Sequence, residues 1–113
     1  MTMIAKKFPT SALIDGQWVS SSKTFSVTDP ATGAEVAAVP NLGANDAARA
    51  IDAAAKALPA WSAKTAKERA TILRRWFDLV TAETESLAQL MTTEQGKPLA
   101  ESRAEVGYGA SFI

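Results

Sequence analysis

The sequence of 113 residues contains no cysteine and no histidine. Without cysteine there is no thiol nucleophile, no disulfide and no zinc-thiolate site. Without histidine there is no imidazole base and no imidazole ligand for a metal. Any chemistry would have to come from carboxylate, lysine, tyrosine or serine side chains. The chain on its own is therefore predicted to catalyse nothing.

An excess of charge of one sign is also lacking, since twelve basic residues balance twelve acidic ones. A neutral surface does not favour nucleic acid or an anionic membrane as a partner. No stretch reaches the roughly 18 apolar residues that cross a bilayer, and the N-terminus has no signal-peptide core. We expect a cytoplasmic protein. Its length of 113 residues allows at most one domain, and its hydrophobic content of 47% is sufficient for a core.

Two β-hairpins are predicted in the first forty residues. Asp15 and Gly16 stand between Leu-Ile and Trp-Val, which is the strongest short-range hairpin signal. Residues 24–28 and 35–39 read as a second pair of strands, joined by an Asp-Pro-Ala-Thr-Gly turn at 29–33. A ligand-binding loop is the alternative for that turn. Ordinary turn chemistry explains every residue in it.

The next segment is predicted to form two helices. Asn45 is the expected N-cap of the first, which should end at Leu58 because Pro59 restricts the residue before it. Trp61 is interpreted as an apolar plug, with ligand stacking as the alternative. Thr65-x-x-Glu68 is a capping box that opens the second helix.

The second helix is predicted to supply the core of the chain through a stripe of large apolar side chains. The stripe comprises Ile72, Leu73, Trp76, Phe77 and Val80. The opposite face is basic, with Arg69, Arg74 and Arg75. That face is either a solvated surface beside acidic neighbours or a site for an anionic substrate, and the solvated surface is favoured.

Two further helices follow, separated by a Gly-Lys-Pro break. Thr84 is a candidate N-cap of the third helix, whose buried residues are predicted to be Leu87, Leu90 and Met91. Gly96 and Pro98 favour a helix end and a new helix start. The fourth helix has an apolar face consisting of Leu99, Val106, Ala110 and Ile113.

The fourth helix also contains Gly107 and Gly109, which are expected where another backbone approaches closely. Its final residues are apolar and uncapped, so a truncated chain is expected. Gly107-x-Gly109 is not interpreted as a dinucleotide fingerprint, because no strand precedes it.

Several segments together, in order, resemble the N-terminal part of the aldehyde dehydrogenase superfamily, most closely its succinate-semialdehyde dehydrogenase branch. The matching segments are Leu13-Ile14-Asp15-Gly16-Gln17-Trp18-Val19, Asp29-Pro30-Ala31-Thr32-Gly33, Ala60-Trp61-Ser62, Leu73-Arg74-Arg75 and Glu94-Gln95-Gly96-Lys97-Pro98-Leu99-Ala100-Glu101. Family members are several times longer than this chain.

The resemblance implies an α/β parent fold and an NAD(P)-dependent enzyme that oxidises an aldehyde to the carboxylate, with succinate semialdehyde as the expected substrate. Residues 1–12 would be an N-terminal arm. Residues 13–113 would be the first part of the NAD(P)-binding domain, cut before the Rossmann-type core and the catalytic domain. Within it a β-hairpin unit (13–39) precedes about four helices (45–113). The parent would be a homo-oligomer, and this segment would pack on the rest of the same polypeptide.

The resemblance places no catalytic and no cofactor-binding residue in this chain, because the family's cysteine and its cofactor helices lie downstream. NAD or NADP is expected only in the parent. Two weaker assignments follow. Val27, Thr28 and Glu94 match positions that hold a monovalent cation in some members, although an exposed glutamate is the simpler interpretation. Tyr108 and Phe112 match a helix beside the substrate tunnel, with ordinary packing as the alternative.

A second hypothesis comes from another class of protein. The chain would then be a small non-enzymatic α+β interaction module whose fourth helix binds a partner with its apolar face. A compact, well-behaved monomer would favour this module, whereas exposed apolar helix faces would favour a segment of a dehydrogenase.

Overall fold

The structure is a computed structural model that describes residues 8–113, so the first seven residues of the predicted arm lie outside the described part. Four strands precede four helices, as expected: β1 (Ala12–Ile14), β2 (Gln17–Val19), β3 (Thr24–Thr28), β4 (Glu35–Pro40), α1 (Ala44–Ser62), α2 (Ala66–Ala82), α3 (Thr84–Gln95) and α4 (Leu99–Ala110). None of the described helices is long and apolar enough to cross a membrane.

The two hairpins form where the turn residues predict them. Strands β1 and β2 pair antiparallel around Asp15 and Gly16, both with positive φ (51° and 70°), as a two-residue hairpin loop requires. Strands β3 and β4 are joined by a turn in which the Asp29 carboxylate accepts a hydrogen bond from the Ala31 amide at 2.8 Å. The Gly33 amide donates to the Asp29 carbonyl at 2.7 Å. The plain-turn interpretation accounts for these contacts.

Helix α1 departs from the prediction at both ends. It begins at Ala44 after Gly43, because the Asp46 carboxylate accepts from the Gly43 amide (3.4 Å) and so replaces the expected cap by Asn45. It also runs through Pro59 to Ser62. In the last turn the missing proline N–H removes one helical hydrogen bond, while the Pro59 carbonyl still accepts from the Ala63 amide at 3.1 Å.

Helix α2 opens with the predicted capping box. The Glu68 amide donates to Thr65 Oγ1 at 3.3 Å, and the Thr65 amide donates to Glu68 Oε2 at 2.8 Å. These contacts satisfy two helix-end donors that would otherwise lack partners. The hydrogen bond from the Thr65 backbone lowers the pKa of Glu68.

Removing the cap hydroxyl by Thr65→Ala is expected to lower the free energy of unfolding by about 1 kcal/mol. Chemical denaturation followed by circular dichroism measures this change. Thr71→Ala is the matched control, since the Thr71 hydroxyl only donates back to the Lys67 carbonyl at 2.9 Å within the same helix. Equal effects of the two substitutions would contradict a capping role for Thr65.

The predicted core on α2 is wrong for this chain. No residue of α2 is buried, and Ile72 and Trp76 are 46% and 57% exposed. Leu73, Phe77 and Val80 are only half-buried, as is Trp61 on α1. The helical period correctly places these side chains on one face, but the described elements, among them α4, cover that face only in part.

The buried residues lie instead on the hairpins and on the last two helices. They are Ile14, Val36, Ala88, Ser102, Val106 and Ala110. Leu87, Leu90 and Met91 are half-buried, whereas Ala88 beside them is fully buried. Small residues are therefore the most deeply buried ones on α3 and α4.

Helices α2 and α3 meet without the predicted cap. Thr84 is the first residue of α3 and its hydroxyl donates to the Thr81 carbonyl at 2.7 Å, so it does not cap the helix. The break before α4 forms as predicted, because Gly96 takes a left-handed conformation (φ 80°) after Gln95. Pro98 then stands as the N-cap of α4.

Candidate functional site

A small cavity lies between the second hairpin and the C-terminal end of α3. Its volume is about 70 Å³. Most of its wall is apolar, and its polar groups come from Thr10, Glu94 and the backbone. The lining residues are Phe8, Pro9, Thr10, Val27, Val36, Ala37, Val39, Leu90 and Glu94.

This cavity brings together two of the three residues predicted to hold a monovalent cation. Val27 and Glu94 both line it, although 67 residues of sequence separate them (94 − 27). Thr28 follows Val27 on β3 but is not part of the lining, and it is exposed. Glu94 is also exposed, as the simpler interpretation of this residue requires.

The backbone at this point suits an oxygen-ligand site. The ladder of β3 and β4 shifts register between Val27 and Thr28, so that Val36 on β4 has no partner of its own. Such a bulge interrupts the pairing and frees backbone groups for other contacts. A hard cation takes carboxylate and carbonyl oxygens, which are the donors available here.

The described part of the chain offers no cluster of side-chain ligands for a metal ion. No group of three histidine, cysteine, aspartate or glutamate residues lies together in residues 8–113. One carboxylate beside backbone carbonyls carries little negative charge. These residues are therefore compatible with a monovalent ion and not with a structural zinc or a multi-carboxylate calcium site.

The two predicted substrate-tunnel residues lie side by side at the C-terminal end of α4, with Tyr108 in its last turn and Phe112 just beyond it. The rings of Tyr108 and Phe112 meet edge to face, with their centroids 4.8 Å apart and an angle of 87°. They are 67% and 73% exposed. Neither ring lines the cavity described above, and both lie open to solvent in the described part of the chain.

Among the described residues, no other backbone approaches the glycines of α4 closely, contrary to the prediction. A β-carbon built on Gly107 or Gly109 would have nothing within 4 Å among the described residues. Both glycines share the exposed side of the helix with Tyr108. The opposite side of α4 carries buried Val106 and Ala110, so the predicted apolar face is confirmed at these positions. Ile113 lies beyond the helix end and is half-buried.

Helices α3 and α4 are held together by one buried and one exposed polar link. Ser102 is fully buried, and its hydroxyl lies 2.8 Å from the Thr92 hydroxyl. On the outside, Arg103 donates to both Glu85 carboxylate oxygens at 2.8 and 3.0 Å. Sequence analysis missed Ser102, although it lies on the same helical stripe as Leu99 and Val106.

The bidentate contact with Arg103 lowers the pKa of Glu85 to about 2. A carboxyl whose pKa is depressed in the folded state stabilises that state above its unfolded pKa of 4.5 and loses the contribution as the pH falls. Unfolding midpoints measured between pH 6 and pH 2 should therefore fall more steeply for the wild-type chain than for Arg103→Gln.

Arg74→Gln serves as the control for the pH experiment. Arg74 forms an exposed pair with Asp78 at 3.6 Å within one helix, and it lies over the Phe77 ring at 4.6 Å. Loss of Arg74 is not expected to change the pH slope in this way. A steep slope retained in Arg103→Gln would show that the pH dependence comes from other groups.

The basic residues of α2 do not form an anion site in this structure. Besides the contacts of Arg74, the guanidinium of Arg69 donates to the Lys64 carbonyl at the start of the helix. Arg75 is exposed on the same helix. This arrangement agrees with the favoured interpretation of a solvated face.

The sequence model of the aldehyde dehydrogenase family matches residues 18–113. A two-hairpin, four-helix arrangement of this kind occurs in solved members of that family. The N-terminal region of succinate-semialdehyde dehydrogenase from Burkholderia pseudomallei superimposes with a TM-score of 0.88 at 55% identity, over 92% of this chain and 22% of that one. The chain belongs to the aldehyde dehydrogenase family.

Curated relatives agree with this assignment. Glutarate-semialdehyde dehydrogenase from Pseudomonas aeruginosa is 55% identical over 96% of this chain. Succinate-semialdehyde dehydrogenase (NADP+) from Escherichia coli is 54% identical over 94% of it. The matches cover only 23% and 22% of these relatives, so the chain spans less than a quarter of their length. The interaction-module hypothesis gains no support from these comparisons.

Proposed function

We propose that this chain serves as the N-terminal part of the cofactor-binding domain of an NAD(P)-dependent aldehyde dehydrogenase. The observation that supports this most strongly is the match in sequence and structure along nearly the whole chain to enzymes named semialdehyde dehydrogenases. The class of substrate is an aldehyde that also carries a carboxylate, such as succinate or glutarate semialdehyde. The product is the dicarboxylate.

In that enzyme the role of these residues is structural support and ion binding. The two hairpins and four helices form an outer layer, and the apolar face of α2 packs on later parts of the same polypeptide. Glu94 and the carbonyls of Val27 and Thr28 bind a monovalent cation. Tyr108 and Phe112, exposed together at the C-terminal end of α4, line the path of the substrate. NAD or NADP supplies the hydride acceptor, and no residue of this chain contacts the reacting atoms.

The assay compares two proteins. The 113-residue chain is expected to show no aldehyde-dependent reduction of NAD+ or NADP+, because it has neither cysteine nor histidine. A polypeptide that contains this chain and extends to the length of its relatives is expected to reduce one of the two cofactors.

Substrate class is tested with the longer polypeptide. Succinate and glutarate semialdehydes should give higher kcat/KM than betaine aldehyde or an uncharged aldehyde of the same length. Activity of the short chain would refute its supporting role. A longer polypeptide that is inactive with every aldehyde and both cofactors would refute the proposed function.

A further inference from the structure

The left-handed turn that ends α3 is in direct contact with the turn of the second hairpin. A β-carbon built on Gly96 would lie 3.0 Å from Cγ and 3.9 Å from Cβ of Pro30. The proline ring therefore rests on the bare α-carbon of Gly96. Among the other described glycines, an added β-carbon would have nothing within 4 Å.

This contact lies beside the cavity that contains Val27 and Glu94. Pro30 follows Val27 by three residues, and Gly96 follows Glu94 by two, so each contact residue lies within about 10 Å of chain from its cavity residue. The remaining contact between hairpin and helix at the cavity comes from side chains such as Val36 and Leu90. Apolar surfaces can slide past each other, whereas the close seat of the ring on Gly96 restricts how the two turns can move.

We infer that Gly96 and Pro30 are positioning residues, whose contact fixes the second hairpin against α3 and so sets the separation of Val27 from Glu94. The inference concerns the geometry of the cavity, and its consequence for ion binding rests on the cation site proposed above. A β-carbon at position 96 would lie closer to the proline ring than ordinary contacts allow, so the ring would have to give by a few tenths of an ångström and its seat on the helix end would loosen.

The test variant is Gly96→Asn, because asparagine tolerates the left-handed conformation better than other side chains but adds the β-carbon. Gly33→Asn is the matched control, since Gly33 has nearly the same φ (72°) with open space around it. Both variants carry the same backbone strain. Only Gly96→Asn meets the ring of Pro30.

The separation is measured by electron paramagnetic resonance with two spin labels. The chain has no cysteine, so Ala38→Cys on β4 and Gln95→Cys on α3 label two exposed positions alone. The labelled chain is diluted with unlabelled chain, so that association does not add distances between molecules. We expect one narrow distribution of distances between the two labels in the otherwise unsubstituted chain and in Gly33→Asn. In Gly96→Asn the distribution should be broader or shifted to longer distances.

Pro30→Ala completes a double-mutant cycle. If the new side chain at position 96 acts through the proline ring, then Gly96→Asn should add little once Pro30 is replaced, and the two changes should not be additive. Additive effects of the two substitutions on the distance distribution would overturn the inference, and so would a broad distribution in the otherwise unsubstituted chain. So would an unchanged distribution in Gly96→Asn.

Thallium(I), a monovalent cation detected by NMR, reports on the proposed ion site separately. If the chain without the substitution binds thallium, Gly96→Asn should weaken its affinity for thallium on the order of tenfold, as loss of a residue that orients ligands typically does. Unchanged affinity would overturn the positioning role. A parent that binds no thallium but keeps its narrow distance refutes the cation site and still supports the contact.

Discussion

Replacing Val36 by aspartate is expected to lower the free energy of unfolding by about 3–5 kcal/mol, the effect of an uncompensated buried charge. Val36 is 1% exposed and is the largest fully buried apolar side chain in the described structure. It occupies the bulge of β4 and lines the cavity next to Leu90. Even complete native domains are stable by only roughly 5–15 kcal/mol, so a loss of this size would approach complete unfolding.

Urea denaturation measures the effect of Val36→Asp. The matched control is Ala38→Asp on the same strand, because Ala38 is exposed and pairs with Ser26. We expect a change within about 0.5 kcal/mol for the control. The loss in Val36→Asp should shrink as the pH falls towards about 4, because burial raises the pKa of the carboxyl above its unfolded value and a protonated carboxyl is less costly to bury than a charged one. Equal stability of the two variants would show that the hairpin does not pack on α3.

Features that depend on a few neighbouring residues were predicted well from the sequence. The Asp15-Gly16 turn, the Asp29 turn, the Thr65–Glu68 box and the Gly96 helix end all form as expected. In each case a side chain forms a hydrogen bond with the backbone, or a positive φ lets the chain turn, within three or four residues. Such interactions need no knowledge of the rest of the fold.

Features that depend on distant surfaces were predicted less well. The stripe on α2 was expected to form the core, but burial depends on a covering surface that a helical period does not reveal. The ends of α1 were misplaced for two reasons: the Asp46 carboxylate accepts from the Gly43 amide, so the helix starts one residue before Asn45, and the helix continues for one more turn past Leu58 although Pro59 lacks an N–H.

The candidate site was predicted in part. The resemblance paired Val27 with Glu94, and the cavity contains both residues. It did not reveal the contact between Gly96 and Pro30, which requires the position of two turns in space. The cation assignment itself stays a prediction, as do the roles of Tyr108 and Phe112.

The 113-residue chain is expected to bind a hydrophobic dye strongly and to self-associate. Ten large apolar side chains are at least 46% exposed, and three of them, Ile72, Trp76 and Leu79, follow one another on a single face of α2. A contiguous apolar face of this kind is unusual on a monomer. Replacing the three residues by lysine should abolish most of the dye fluorescence and the association measured by sedimentation, while the helix content stays the same, because lysine is a good helix former.

The control places three lysines on exposed positions elsewhere on α2, by Thr71→Lys, Arg75→Lys and Ala82→Lys, and should leave dye binding unchanged. In a polypeptide of the relatives' full length, the same three lysine substitutions on the α2 face should be harmful instead of beneficial. There the proposed function covers the α2 face, and each lost apolar contact would destabilise the enzyme by roughly 1.5–3 kcal/mol. A dye-free monomer for the short chain, with no penalty in the longer one, would favour an independent interaction module. The opposite pair of results is expected, because a side chain that is harmful when exposed becomes stabilising only when another surface covers it.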